Sequence, residues 1–153
     1  MDAIDLKIIQ HLVADGRMSF AALGRAVKLS TPAVHNRVRQ LERQGVITGY
    51  GARVSPGAIG LGLLGLVAVE TPGTLEPVIV AVRRMPEIEA CWSTAGTSDL
   101  LLKVRVGDPP AMERLLMRLR ELPGVSRTRT TILLETHLER EPDPAALGPE
   151  DSA

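Results

Sequence analysis

One cysteine in 153 residues, Cys91, leaves no internal disulfide to form and no cysteine-based zinc site to fill, as expected of a chain made for a reducing compartment. Aromatic residues make up 2% of the chain (Phe20, Tyr50 and Trp92), which excludes recognition of single strands or RNA by stacking bases on aromatic platforms. Charge of one sign is also missing. Eighteen Lys and Arg balance eighteen Asp and Glu, so any attraction to nucleic acid or membrane must come from how the charges are distributed. The longest apolar stretch, Ile59 to Val69, is broken by glycines and is shorter than the ~20 residues of a membrane helix. Asp2 and Asp5 stand where a cationic leader would begin, so the chain is expected to be cytoplasmic, neither secreted nor membrane-spanning.

The chemistry of sites is sparse as well. His11, His35 and His137 have no two members at metal-ligand spacing, so no metal site is expected. Ser98 beside Asp99 has no histidine near it in sequence, and nucleophilic catalysis needs an oriented base. Cys91 lies in a mostly apolar segment, where an inert core thiol is the common case. The glycines at 60, 62 and 65 sit within a strand pattern rather than before a helix, and no phosphate-binding loop is present. No cofactor is expected.

What is present is 44% apolar residues, enough for a core in a length that suits one medium domain or two small ones. The charges divide the chain. Through residue 54, eight basic side chains face only Asp2, Asp5, Asp15 and Glu42, whereas residues 55–153 carry ten basic and fourteen acidic ones. The junction Ser55-Pro56-Gly57-Ala58-Ile59-Gly60 is rich in turn residues. These features predict a basic domain over 1–54, a linker over 55–60 and a second domain over 61–138. The proline-rich, acidic stretch 139–153 has no apolar periodicity and is expected to be a loose tail.

In the basic domain, Ile4, Ile8 and Leu12 recur at helical spacing, with Asp2 and Asp5 where an N-terminal dipole favours anions. Ser19 is placed to cap a second helix running through Val27, in which Gly24 is a weak point. A three-residue turn, Lys28-Leu29-Ser30, then leads to a third helix with Thr31 as cap, Pro32 in the first helical position and Gly45 as the stop. Two helices joined by so short a turn read as a helix-turn-helix. At 100° per residue, Val34, Val38 and Leu41 form one apolar stripe, and Asn36, Arg39, Gln40 and Arg43 lie opposite it. His35 and Ala33 flank that outer face, and Thr31 and Pro32 stand at its entering end, with Lys28 and Ser30 just before it. Arg suits guanine O6 and N7, Asn and Gln suit adenine N6 and N7, and short residues admit close approach, so duplex DNA is the expected partner. Arg37 lies nearer the apolar stripe, where a phosphate contact and an internal ion pair are both open. Val46 to Val54 reads as a short glycine-turned hairpin, the wing of a winged helix, from which Arg53 could reach phosphate. The competing reading is a three-helix docking domain with a solvated basic face.

From Leu61 the run LGLLGLVAV shows no alternation and reads as a strand buried on both faces. Thr74 opens a helical stretch with Leu75, Val78, Ile79 and Val82 inward; Ile88–Ala95 and Asp99–Val106 read as strands joined by a hairpin at Gly96-Thr97-Ser98. Pro109-Pro110 begins another helix, and Val125–Glu135 is the last strand. The order βαββαβ makes the fold class α+β, a winged helix-turn-helix followed by a ferredoxin-like sandwich. Two helices cover only one face of a four-stranded sheet, so apolar patterning on the other face predicts a homodimer, whose paired recognition helices would suit a palindrome.

These segments resemble the Lrp/AsnC (feast/famine) transcription regulators over residues 2–138. The resemblance is carried by the stretch from Asp2-Ala3-Ile4-Asp5 through Ser55-Pro56, by Met85-Pro86 and by GTSDLLLKV through ELPGV. It implies DNA-binding dimers that often assemble into octamers, and a small-molecule effector, usually an amino acid. It further implies that Gly96 and Asp99 belong to an effector loop, with Thr97 and Ser98 between them. Backbone amides, hydroxyls and a carboxylate on such a tip suit a zwitterion. The family loop often has a bulkier residue before the aspartate, where this chain has Ser98. Two alternatives share the architecture: a siroheme-decarboxylase-like enzyme, which would need a large tetrapyrrole pocket, and an effector-binding module that has lost DNA binding.

Overall fold

Helix α1, Ala3–Ala14, starts at Asp2 because that side chain can satisfy amides the helix leaves without partners. Its Oδ1 accepts from the Ile4 and Asp5 amides at 2.9 Å each, and Asp5 Oδ2 accepts in return from the Asp2 amide at 2.9 Å. The computed structural model describes residues 1–140 and 142–147. Helix α2, Phe20–Val27, is capped by Ser19 as expected, with Ser19 Oγ accepting from the Ala22 amide at 3.2 Å. Helix α3, Thr31–Arg43, is capped one residue earlier than the sequence suggested. Ser30 Oγ accepts from the Ala33 amide at 3.4 Å, and Thr31 is already helical. Ile8, Leu23, Val27, Val34, Val38 and Leu41 form the core of this unit, so each helix contributes its apolar stripe and leaves its polar face outside.

The expected wing is not a hairpin. No strand forms between Val46 and Val54; the Val46 and Ile47 amides instead donate to the Leu41 carbonyl at 2.9 and 3.2 Å. Gly45 supplies the left-handed turn, with φ +70°, that folds the chain back on the end of α3. Two short runs interrupted by Gly49 and Gly51, with only Ile47 packed against the core, bury too little to hold an isolated two-stranded ribbon.

The chain divides into two units, Met1–Arg53 with the residues from Leu138 onward, and Val54–His137. The expected linker 55–60 is not a free spacer, since Gly57–Ile59 makes a 3-10 turn and the Leu61 amide donates to the Pro56 carbonyl at 2.9 Å. Of the expected loose tail, Pro144–Leu147 forms a 3-10 turn in the first unit, while positions 141 and 148–153 lie outside the described residues.

The second unit is built from β1 (Leu63–Glu70), α4 (Glu76–Val82), β2 (Ile88–Ser93), β3 (Leu100–Val106), α5 (Pro109–Arg120) and β4 (Arg127–Leu133). The strands are shorter than the sequence suggested and form one antiparallel sheet in the order β2-β3-β1-β4, the ferredoxin-like arrangement. Asp108 caps α5 through the Ala111 amide at 2.7 Å. Both helices lie on one face, where Val67, Val69, Leu100, Leu102 and Val104 are buried with Val78, Val82, Leu115 and Leu119. Leu66 and Ala68, on the opposite face from Val67 and Val69, stay half-buried, on the face for which the patterning predicts a second copy of the chain. No helix of the described residues is long and apolar enough to cross a membrane.

Gly24 shows why a poor helix former stands in α2. A Cβ there would lie 2.7 Å from the Leu29 carbonyl oxygen, inside the turn that joins α2 to α3 and closed by the bond from the Leu29 amide to the Gly24 carbonyl at 2.8 Å. Gly24→Ala is therefore expected to destabilise this unit by roughly 1–3 kcal/mol of overpacking, despite a helix-propensity gain of about 1 kcal/mol. A urea midpoint at or above that of the wild type, followed by far-UV dichroism, would show the turn to be looser than described.

Candidate nucleic-acid interface and hairpin loop

The turn between α2 and α3 is set by Lys28, which takes the left-handed conformation at φ 58° and ends α2. It directs α3 so that Val34, Val38 and Leu41 enter the core while Asn36, Arg39, Gln40 and Arg43 remain exposed. Lys28, Ser30, Thr31 and Pro32 are exposed at the entering end, with Ala33 half-buried behind them, and Arg53 is exposed on the loop after α3. The structure thus leaves Asn36, Arg39, Gln40 and Arg43 on the exposed surface of one helix, with Lys28, Ser30, Thr31 and Pro32 on its leading turn and first residues.

Several members of the set are engaged within the protein: Ser30 caps α3, and Arg43 Nε donates to the Arg39 carbonyl at 3.3 Å. The His35 ring meets Phe20 edge to face, with centroids 5.2 Å apart. Arg37 Nη1 donates to Asp2 Oδ2 at 2.7 Å and to Asp5 Oδ1 at 2.8 Å, which realises the ion-pair alternative. The Asp5 amide and the Arg37 guanidinium hold the Asp2 carboxyl below the usual carboxylate range, and the Asp5 and Asp2 carboxylates raise Arg37. A lowered carboxyl contributes to folding above its unfolded pKa, and the contribution is lost as pH falls through the folded value. The sequence carried a signal for this network in the Asp-x-x-Asp spacing of a capping box, but the distant partner on α3 could not be read from it.

The hairpin loop between β2 and β3 holds Gly96, Thr97, Ser98 and Asp99 together at one tip, with Gly96 and Thr97 exposed and Ser98 and Asp99 half-buried. Thr94 Oγ1 donates to the Ser98 carbonyl at 2.6 Å, and the Thr94 amide donates to the Asp99 carbonyl at 3.0 Å. Asp99 is tied down twice: its amide donates to the Val69 carbonyl at 3.0 Å, and its Oδ2 accepts from the Thr71 amide at 2.7 Å. Sequence reasoning missed Thr71, a buried residue just past β1 whose own Oγ1 has no hydrogen-bond partner among the described residues. Among the described residues no three His, Cys, Asp or Glu are placed to hold a metal ion.

The family model for the AsnC-type helix-turn-helix domain matches residues 1–42, and that for the Lrp/AsnC ligand binding domain matches residues 66–143. The HTH-type transcriptional regulator LrpA of Mycobacterium tuberculosis is 40% identical over 138 residues, covering 89% of this chain and 91% of its own. The leucine-responsive regulatory protein of Escherichia coli is 40% identical over 140 residues, covering 88% of this chain and 85% of its own. A feast or famine regulatory protein of M. tuberculosis, solved in complex with L-methionine, superposes with a TM-score of 0.88 at 38% identity over 94% of this chain and 99% of that one.

Tyr50, the one tyrosine of the chain, pins the loop after α3 by donating its hydroxyl to Glu42 Oε1 at 3.0 Å. Burial and the neighbouring carboxylate push the phenol up to about 12, because a phenolate beside Glu42 would be both desolvated and repelled. The bond is complete below the ordinary tyrosine range and is lost as pH rises through about 12. An ultraviolet titration of the folded protein is expected to show its single tyrosine step near 12, with Glu42→Gln moving it down; a wild-type step at the ordinary value of about 10 would contradict the bond.

Proposed function

We propose a function for this chain from one premise: it belongs to the Lrp/AsnC family of transcriptional regulators. It binds duplex DNA in a sequence-specific way through the outer side of α3, and an amino-acid effector alters its assembly. The observation that carries this reading is the division of α3 itself. Three aliphatic side chains are consumed by the core, while Asn36, Arg39, Gln40 and Arg43 stand exposed on a rod of the diameter that the major groove admits. Arg39 and Arg43 are assigned to guanine edges or phosphate, Asn36 and Gln40 to adenine, and Lys28, Ser30, Thr31, Pro32 and Ala33 to close approach at the helix entry. Arg53 reaches phosphate from the loop, and His35 contributes from the flank of the helix while packed on Phe20.

A second copy of the chain covers the sheet face that α4 and α5 leave open. On that face Trp92, Leu101 and Ala68 form one cross-strand row ending at Arg129, and Trp92 is 49% exposed. Glu89 pairs with Arg105 and Lys103, and Glu70 with Arg129, so the charges beside the apolar row are paired within the chain, which suits them to the polar rim of an interface centred on that row. The effector is an amino acid held by the Gly96–Asp99 loop at a seam between dimers, in assemblies that extend to an octamer. L-methionine is the first candidate, because relatives have been solved with it. The protein acts in the cytoplasm and performs no reaction of its own. The named relatives are regulators, which favours this reading over a siroheme-decarboxylase-like enzyme.

Arg39→Ala and Arg43→Ala are each expected to weaken operator binding by roughly 1–3 kcal/mol where the contact is to guanine, or to lower the salt slope by about one where it is to phosphate. Unchanged binding by both variants in a fluorescence anisotropy titration would remove α3 from the interface. For the effector loop, Asp99→Asn is the informative change, since an amide oxygen can still accept from the Thr71 amide while the charge is gone. The variant is expected to keep the wild-type unfolding midpoint and to lose the effect of L-methionine on the mass measured by light scattering. A full response in the variant would place the effector elsewhere.

A further inference from the structure

We propose that Arg37 is a positioning residue: clamped by Asp2 and Asp5, it fixes the roll of α3 about its own axis and so sets where the base-reading side chains stand, without touching DNA itself. The proposal rests on the reading of α3 as the DNA-binding helix. Each carboxylate divides its oxygens between two tasks. Asp2 Oδ1 accepts from the Ile4 and Asp5 amides and Asp2 Oδ2 accepts from Arg37, while Asp5 Oδ2 accepts from the Asp2 amide and Asp5 Oδ1 accepts from Arg37. Neither carboxylate can turn toward another partner without breaking the cap of α1. The guanidinium is therefore held against a frame that is itself hydrogen-bonded on both sides.

The location on α3 gives the clamp its effect. Arg37 adjoins Val38 and follows Val34 by one turn, at the margin of the buried stripe, with its side chain 32% exposed. Dispersion contacts of Val34, Val38 and Leu41 hold the helix against the core and limit its roll, but they are not directional and leave a small rotation open. Charge-assisted hydrogen bonds from one nitrogen to two carboxylates are directional. Even a roll of ~10° at a side-chain radius of ~6 Å moves the groove-facing atoms by ~1 Å, enough to break a hydrogen bond to a base edge. The same cluster argues against a phosphate contact: two carboxylates against one guanidinium leave it net negative, which repels a phosphate brought alongside.

The test uses the full chain and two probes, the tightest duplex that the wild type recovers from a randomised pool and a scrambled duplex of equal length. Anisotropy titrations over a salt series are run at a temperature where far-UV dichroism shows every variant fully folded. Arg37→Met is expected to weaken the selected duplex by about tenfold, with the scrambled duplex little affected and the salt slope unchanged. Asp5→Asn retains the shape but has one acceptor oxygen where two are used. It is expected to weaken the selected duplex in the same sense, although removal of a negative charge by itself favours binding to a polyanion. Should Arg37→Met fail to fold, Asp5→Asn and Arg37→Lys, whose shorter side chain keeps the charge but ends short of the position of Nη1, carry the same distinction. A salt slope lower by about one with both duplexes weakened equally would make Arg37 a phosphate contact. Wild-type affinity in folded variants would leave it a structural ion pair, and tighter binding by Asp5→Asn would likewise overturn the proposal. A wild type that retains no duplex at any salt would instead remove the DNA-binding reading on which the proposal stands.

Discussion

Burial of Val34, Val38 and Leu41 against Ile8, Leu23 and Val27 is the constraint on which the candidate interface depends. A helix of 13 residues gains little from propensity alone and is held by packing of its apolar side. Once those three aliphatic residues are committed to the core, the 100° step of the backbone leaves Asn36, Arg39, Gln40 and Arg43 no place but the surface. The short turn through the left-handed Lys28 and the close approach of Gly24 to Leu29 then fix how α3 leaves α2. Stability and the candidate interface use opposite sides of one element, so changes on either side can be read separately.

The second unit follows a different logic. Its helices shield one side of the sheet, and the other side carries Leu66, Ala68, Leu101 and Trp92 among ion-paired arginines, a lysine and glutamates. At the end of β1, the Asp99 carboxylate and the Thr71 amide tie the exposed loop tip to the edge of the core. The tip is therefore a shaped feature rather than a free hairpin, and rigid support from below is what a small-ligand site requires.

Much of this architecture is legible in the residues. The periodicities of Ile4, Ile8 and Leu12, and of Val34, Val38 and Leu41, place helices correctly to within a residue or two, as do Ser19 and the Pro109-Pro110 start. The βαββαβ order follows from alternating apolar segments separated by turn residues. The failures have identifiable causes. Val46 to Val54 carries hairpin-forming glycines, yet an isolated ribbon has no neighbouring strand to stabilise it. Thr31 stands one place after the true cap of α3, because Ser30 and Thr31 offer the same hydroxyl and only the backbone decides between them.

The sequence by itself determined which side chains α3 exposes, because that depends only on helical geometry and on the spacing of three aliphatic residues. It also determined the order of elements. Only the tertiary structure decided that Arg37 belongs to Asp2 and Asp5, more than thirty residues away along the chain, and that Asp99 answers to Thr71. Local spacing governs which face a residue lies on. Directional bonds between distant residues depend on how separate elements are brought together, and that information arises only when the chain folds.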